Sequence, residues 1–211
     1  MLSIKGYLLI LIASFLLNGC TFIKYFQSSH DNDYAAWSDR PVANSWTPIS
    51  ENSVKLVGLY SQSPNDIQMF CPNYSALKEK GKTRFWVGLI SVMARYESNF
   101  EPSTAYKEDF KDASNNPVIS RGLLQLSIES ANQRQYNCLI PSAKHLHDPV
   151  VNIECSFKIL AALVSKDQVI AYSTTGNKGG ARYWAVLRNT GHALEGIKDF
   201  TNSLPFCAVQ T

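Results

Sequence analysis

One acidic residue, Glu97, ends a long apolar segment and is followed by Ser-Asn-Phe-Glu-Pro at residues 98–102. At ~100° per residue in a helix, its carboxyl lies within about 40° of Trp86, Ile90 and Met93, on the apolar side. A carboxyl in that place is partly desolvated and meets the negative end of the helix dipole, and both effects favour the protonated form. We therefore expect a raised pKa for Glu97, which is what a general acid working near neutral pH requires.

The segment from Arg84 to Glu97 has the periodicity of a helix that could position this carboxyl. Polar or small residues form one narrow stripe, namely Arg84, Gly88, Ser91 and Arg95. Apolar side chains fill the rest of the surface, which predicts a helix buried on most sides. A lone glutamate at a helix end is more often solvated or salt-bridged, so the neighbouring motifs must decide between the two interpretations.

A second string, residues 120–125, reads Ser-Arg-Gly-Leu-Leu-Gln and contains a glycine turn. Taken alone it predicts an ordinary hairpin with a buried glutamine. With Glu97 upstream, Gly122 could let the backbone approach a sugar closely, because glycine has no Cβ. Gln125 would then point into a cleft near Glu97.

The two strings together carry a family resemblance. Residues 97–102 match Glu-Ser-x-Phe-x-Pro at every fixed position, and residues 120–125 match Ser-x-Gly-Leu-Met-Gln with Leu124 in place of Met. In this order they resemble the lysozyme-like superfamily, which contains the soluble lytic transglycosylases and goose-type lysozymes. The resemblance covers roughly residues 80–190, and it implies that Ser120, Gly122 and Gln125 belong to the family's substrate-contacting turn. It implies a mainly α, α+β lysozyme-like fold: a helical domain with a small β-hairpin beside the cleft.

The resemblance also implies an activity, cleavage of the β-1,4 bond between N-acetylmuramic acid and N-acetylglucosamine in peptidoglycan. Glu97 would be the general acid, and the product would be either a 1,6-anhydro sugar or a hydrolysed reducing end. Neither route needs a metal or a cofactor. The alternative is a lipoprotein that only binds glycan or scaffolds a wall complex, although a buried carboxyl is costly for such a protein to keep.

The family's third motif, Ala-Tyr-Asn-x-Gly, has only a loose counterpart at residues 171–176, where the Asn is absent and the Gly is displaced. Tyr172 is the tyrosine of that segment. Tyr183 competes with it, on a helix predicted over about residues 180–189 after a glycine-rich loop. We prefer Tyr183 as the cleft residue, with a role in the core as the alternative.

The loop between the first two motifs, residues 103–119, is longer than in typical lytic transglycosylases and carries Glu108, Asp109 and Asp112. Longer acidic loops here resemble goose-type lysozymes, in which an Asp could position the attacking water. Inverting hydrolysis needs a second carboxylate roughly 6.5–9.5 Å from the acid. Asp109 and Asp112 are the candidates, and a solvated acidic loop is the alternative.

The first residues predict export. Lys5 precedes an apolar run from Tyr7 to Leu17, and the following residues 17–20, Leu-Asn-Gly-Cys, resemble a bacterial lipobox. We expect a signal peptide over residues 1–19, a lipidated Cys20 with a flexible tether over residues 20–50, and the domain over residues 51–211. Thr21, and not an Asp, follows the cysteine, which resembles lipoproteins sorted to the outer membrane. We therefore expect a lipid-anchored protein of the periplasm or cell envelope, at the outer membrane. An ordinary signal peptide is the alternative.

Five cysteines minus Cys20 leave four, an even number that in an exported chain suggests two disulfides. We favour Cys138–Cys155 as a local staple and Cys71–Cys207 as a clasp between the ends of the domain. No Cys-x-x-Cys spacing occurs, so a zinc site is poorly supported.

The net charge of +3 suits an anionic partner such as the cell wall but is too small to indicate nucleic acid. We expect a monomer. Further helices are predicted from Ser53 to Tyr60, over residues 128–136, and from Pro149 to about Ser165. Asp148 would cap the last of these, with Pro149 at its first position.

Overall fold

Helices dominate the part of the chain described by the computed structural model, residues 33–189 and 191–208. Five α-helices and two strands follow one another, with short 3₁₀ turns between them. They are α1 Trp46–Leu56, α2 Glu79–Ser98, β1 Ala105–Lys111, β2 Pro117–Arg121, α3 Ile128–Ala131, α4 Pro149–Asp167 and α5 His192–Ser203. The architecture is the expected mainly α one, with a small two-stranded antiparallel sheet.

Helix α2 lies at the centre of the core. Every side chain from Phe85 to Ala94 is buried, because α1 and α5 both pack against this helix. Helix α2 ends just after Glu97: Asn99 is in the left-handed conformation with φ 50°, and its N–H donates to helix carbonyls. This cap stops the helix where the carboxyl must emerge from the core.

The domain begins earlier than the sequence suggested. Tyr34, Trp37 and Trp46 are buried in the core, and the compact unit starts at Tyr34. The Ala36 N–H donates to the Ser91 hydroxyl on α2 at 2.7 Å. The predicted tether over residues 20–50 is therefore wrong from residue 34 onward, because these aromatic residues bury individually without a periodic pattern.

The hairpin follows α2 directly. Strands β1 and β2 pair antiparallel, with Tyr106 opposite Ser120 and Lys107 opposite Ile119. A tight turn then closes when Arg121 and Leu126 exchange backbone hydrogen bonds of 2.9 Å each. The predicted hairpin is confirmed, and the glycine string forms the turn after it.

Three predicted helices have other bounds. The helix predicted from Ser53 to Tyr60 is instead α1, Trp46–Leu56, which ends before Gly58 with its φ of 71°. Helix α3 covers only Ile128–Ala131, although Ser127 does cap it. The helix predicted over residues 180–189 is wrong: two 3₁₀ turns, Gly179–Arg182 and Ala185–Leu187, replace it. Gly179 has φ +54°, and a Cβ there would meet a carbonyl oxygen at 2.1 Å, so the chain is held in a tight irregular packing.

The predicted start of α4 and both predicted disulfides agree with the structure. Asp148 caps α4, its carboxylate accepting from the Val150 N–H, and Pro149 is the first helical residue. Disulfides join Cys71 to Cys207 and Cys138 to Cys155. Within residues 33–189 and 191–208, none of the helices is both long and apolar enough to span a membrane.

Candidate active site

A cleft of about 390 Å³ opens between the end of α2, the hairpin and the segment after α4. Two carboxyl groups line it, Glu97 and Glu108, and two guanidinium groups, Arg182 and Arg188. The aromatic lining residues are Phe110, Tyr136, Tyr183 and Trp184. Mixed charges with aromatic walls are typical of a site that binds a polar ring-shaped ligand.

Glu97 is the most perturbed acid in the cleft. Burial, followed by the charge of Glu108, raises its pKa from 4.5 to about 8, against smaller opposing effects of Arg188 and the Val186 N–H. The Oε1 atom is buried without a hydrogen-bond partner, while the side chain as a whole stays partly open to the cleft. At neutral pH the carboxyl is therefore mostly protonated and can give a proton to a ligand.

The residue after Glu97 ties the end of α2 to the glycine turn. The Ser98 hydroxyl donates to the Leu123 carbonyl at 2.9 Å. On the other side of the turn, the Trp184 indole N–H donates to the Leu124 carbonyl at 2.9 Å. Both bonds hold the turn against the helix end, so the cleft floor and Glu97 keep one relative position.

The second carboxyl in the cleft belongs to Glu108 on β1. It accepts a hydrogen bond from the Ser120 hydroxyl on the paired strand. Ser120 is itself 7% exposed and lines the cleft, so it orients the carboxylate as well as facing the ligand space. The sequence prediction placed Ser120 in the site but did not foresee its partner.

The structure does not bring Asp109 or Asp112 to the cleft, which corrects the choice of second carboxylate. Asp109 is exposed, and neighbouring Glu108 lines the cleft instead. Asp112 accepts from the backbone N–H groups of Ser114 and Asn116 and holds the hairpin turn. Alternation along β1 puts Glu108 and Phe110 on one face, and that period was the signal available in the sequence.

Gly122 does not line the cleft, contrary to the expected contact with a sugar. Its φ is +77°, and a Cβ would meet the Leu146 carbonyl oxygen at 2.0 Å and the Asn152 amide at 2.4 Å. The glycine is required because the turn packs against the start of α4. The Asn152 side chain completes this contact, accepting from the Leu124 N–H and donating to the Leu146 carbonyl.

Gln125 does line the cleft, as predicted from the sequence. Its amide donates to the Gly122 carbonyl at 2.8 Å, while its Oε1 atom is buried without a partner. An unpaired buried acceptor is costly, and the side chain that carries it lines the ligand space. Gln125 can therefore accept a hydrogen bond from a bound hydroxyl or amide.

Of the two candidate tyrosines, only Tyr183 is a cleft residue. Its hydroxyl accepts from the Ser127 N–H at 3.3 Å, and burial raises its pKa. Tyr172 is 47% exposed, does not line the cleft, and has its N–H bonded to the buried Asp66 carboxylate. The loose third motif thus pointed to the wrong tyrosine, while the preference for Tyr183 agrees with the structure.

Arg188 and Tyr136 were not singled out from the sequence. Arg188 lines the cleft, and its charge lowers the pKa of Glu97, which offsets part of the effect of burial. Tyr136 packs edge-on against Tyr183, with ring centroids 6.4 Å apart. No local pattern marks either residue, because both reach the cleft only through the fold.

The two histidines of residues 143–147 are engaged in local contacts. His145 bonds Ser142, and the His147 ring contacts the Pro102 carbonyl at 2.9 Å. Among the described residues, His, Cys, Asp and Glu side chains form no group of three that could hold a metal ion. Cys20, the predicted lipidation site, lies outside the described residues.

Comparison with known proteins matches this geometry to a family. The Transglycosylase SLT domain family matches residues 75–196. The solved structure "Bd0314 DslA wild-type form 2" is 40% identical, covers 82% of this chain and 97% of its own, and superposes with TM-score 0.78. Two Glu→Gln variants of DslA, 38% and 39% identical, give the same coverage and TM-score. No curated protein sequence matches. The chain therefore belongs to the transglycosylase SLT domain family of the lysozyme-like superfamily, whose members are peptidoglycan-cleaving glycosidases.

Proposed function

We propose that this protein cleaves the β-1,4 bond between N-acetylmuramic acid and N-acetylglucosamine, with Glu97 as the general acid. The observation that carries the proposal is a buried carboxyl with a pKa of about 8, facing a cleft in a peptidoglycan-cleaving fold. Glu97 protonates the glycosidic oxygen as the C1–O bond breaks. Positive charge then develops on the muramic acid ring, as in other glycosidases.

Glu108 is the second carboxylate of this proposal, in place of Asp109 or Asp112. It lines the same cleft as Glu97, its charge acts on the pKa of Glu97, and Ser120 orients it. The comparison offers independent support. The two substituted glutamates of the DslA variants are 11 residues apart, the same spacing as Glu97 and Glu108.

A second carboxylate favours hydrolysis. Glu108 takes a proton from a water molecule while the oxygen of that water forms a bond to C1 of the muramic acid. Glu97 gives its own proton to the leaving sugar. A transglycosylase would instead use the ionised Glu97 to take the proton of the muramic 6-hydroxyl. That internal attack would need no Glu108.

The test is product analysis with three variants. Glu97→Gln keeps the shape of the side chain but removes the acid, so turnover of peptidoglycan should fall at least about 10²-fold. Glu108→Gln should also lower turnover strongly. Asp109→Asn is the matched control on the same strand and should stay near wild type.

Mass spectrometry of the digest separates the two routes, because reducing-end and 1,6-anhydro products differ by one water. We expect reducing ends. Near-normal turnover of Glu97→Gln would remove that residue from the mechanism. An active Glu108→Gln variant with 1,6-anhydro products would refute hydrolysis and leave Glu97 acting alone.

The place of action is a further part of the proposal, supported by the lipobox-like residues 17–20 and by two disulfides, which suit an oxidising compartment. We propose a lipid anchor on Cys20 and a periplasmic, outer-membrane location. Radiolabelled fatty acid should label the wild type but not Cys20→Ala. Equal labelling of both would refute the anchor.

A further inference from the structure

A second pocket of about 490 Å³ adjoins the cleft, on the side away from the hairpin. Tyr136 and Arg182 line both spaces, so the two are neighbours across a shared wall. Gln135, Ala162, Leu163 and Lys166 complete its lining. Its volume lies in the ~300–1,000 Å³ range that is usual for ligand pockets.

The charge of this pocket differs from that of the cleft. The cleft contains the carboxyl groups of Glu97 and Glu108 beside its two arginines, whereas the charged residues of the second pocket, Lys166 and Arg182, are both cations. Arg182 pairs with Asp167, which also accepts from the Gly179 N–H. That pair is close to neutral, so one net positive charge remains at Lys166, which is exposed at the end of α4.

The substrate supplies a matching group. The muramic acid ring beside the scissile bond carries a short peptide on its lactyl substituent, and that peptide bears free carboxylates. A glycan strand bound in the cleft must place this peptide against one wall. Apolar surface from Ala162 and Leu163, with Lys166 at the rim, fits a short acidic peptide better than an uncharged sugar.

We propose that the pocket beside Tyr136 and Arg182 binds the acidic peptide stem of the muramic acid residue held in the cleft, with Lys166 contacting a stem carboxylate. The inference rests on the proposed function and adds a substrate preference: glycan with anionic stems is cleaved faster than glycan without them. Arg182 and Tyr136, on the shared wall, serve both the sugar and the stem.

The test uses the full chain on two substrates: peptidoglycan with intact stems, and glycan strands from which an amidase has removed the stems. Lys166→Glu should lower kcat/KM on stem-bearing glycan about fivefold, and Lys166→Gln about twofold, because an exposed charge pair is worth little and reversal adds repulsion. Neither variant should change kcat/KM on stem-free strands.

Lys55→Glu is the matched control, since Lys55 is also an exposed lysine in the last turn of a helix but lies outside both spaces. It should match the wild type on both substrates. Chemical amidation of the stem carboxylates should lower wild-type kcat/KM about twofold, as Lys166→Gln does, because it removes the attraction without adding repulsion. It should also abolish the difference between wild type and Lys166→Glu.

The inference is overturned if Lys166→Glu leaves stem-bearing glycan unaffected, lowers both substrates equally, or behaves like Lys55→Glu. If the wild type still prefers stem-bearing glycan after amidation of the stem carboxylates, the contact between Lys166 and a stem carboxylate is refuted as well. If the wild type cleaves neither glycan, both the proposed function and the stem site are refuted. If the wild type is active but cleaves stem-bearing and stem-free glycan equally well, only the stem site is refuted.

Discussion

Replacing Glu97 by Gln should stabilise the protein while removing its activity, and the gain should depend on pH. In the folded chain the pKa of Glu97 is about 8, against 4.5 for the ordinary group. A raised pKa in the folded state means that folding favours the protonated carboxyl. The contribution of Glu97 to the stability of the wild type is therefore complete below about pH 4.5. It is lost progressively as the pH rises towards 8 and does not change further above that.

The magnitude follows from the shift. At 1.36 kcal/mol per pKa unit the upper bound is about 5 kcal/mol, and contact of the side chain with the cleft reduces this to about 3 kcal/mol. Glutamine is never charged, so Glu97→Gln should exceed the wild type by roughly that amount above pH 8. For a chain of this size the melting temperature should rise by about 6–12 °C.

The assay is thermal unfolding of the wild type and Glu97→Gln at several pH values from 4 to 9. The difference in Tm should be near zero at the acid end and grow with pH. Glu129→Gln, an exposed glutamate outside the cleft, is the control and should give a flat difference. A flat difference for Glu97→Gln too, or a larger gain in acid, would refute the burial of an ionisable Glu97.

Three further outcomes are expected. Glu108→Gln should lower the pKa of Glu97 and Arg188→Met should raise it, since the two charges act in opposite directions. NMR titration of the Glu97 carboxyl measures both shifts, and shifts of the same sign would contradict the expectation. Gly122→Ala should destabilise the folded protein by about 3 kcal/mol, because its φ is positive and the new Cβ would overlap with the Leu146 carbonyl. Chemical denaturation measures this loss, and an unchanged midpoint would mean that the turn is packed differently. A chain starting at residue 51 should be far less stable than one starting at residue 33, since it lacks the buried residues 34–37 and Trp46. Equal melting temperatures would instead support a flexible tether up to residue 50.

Several features were determined by the sequence alone. The apolar periodicity of residues 84–97 predicted a buried helix, and with it a desolvated Glu97, because a helix turns by a constant angle. Asp148 and Pro149 marked the start of α4, since capping depends on adjacent residues. Two motifs in order predicted the family, and the even count of exported cysteines predicted two disulfides.

Tertiary structure decided what depends on contacts between distant segments. Glu108, rather than Asp109 or Asp112, lines the cleft with Glu97: alternation separates the two faces of β1, but its pairing with β2 decides which face turns to the cleft. Tyr183 rather than Tyr172 reaches the cleft, and Asp66, more than 100 residues upstream, binds the N–H of Tyr172 outside it. Short-range patterns specify caps, periods and turns, whereas a cleft is formed by side chains from four separate segments. The packing of the whole core decides whether these segments come together, and a short stretch of sequence does not contain that information.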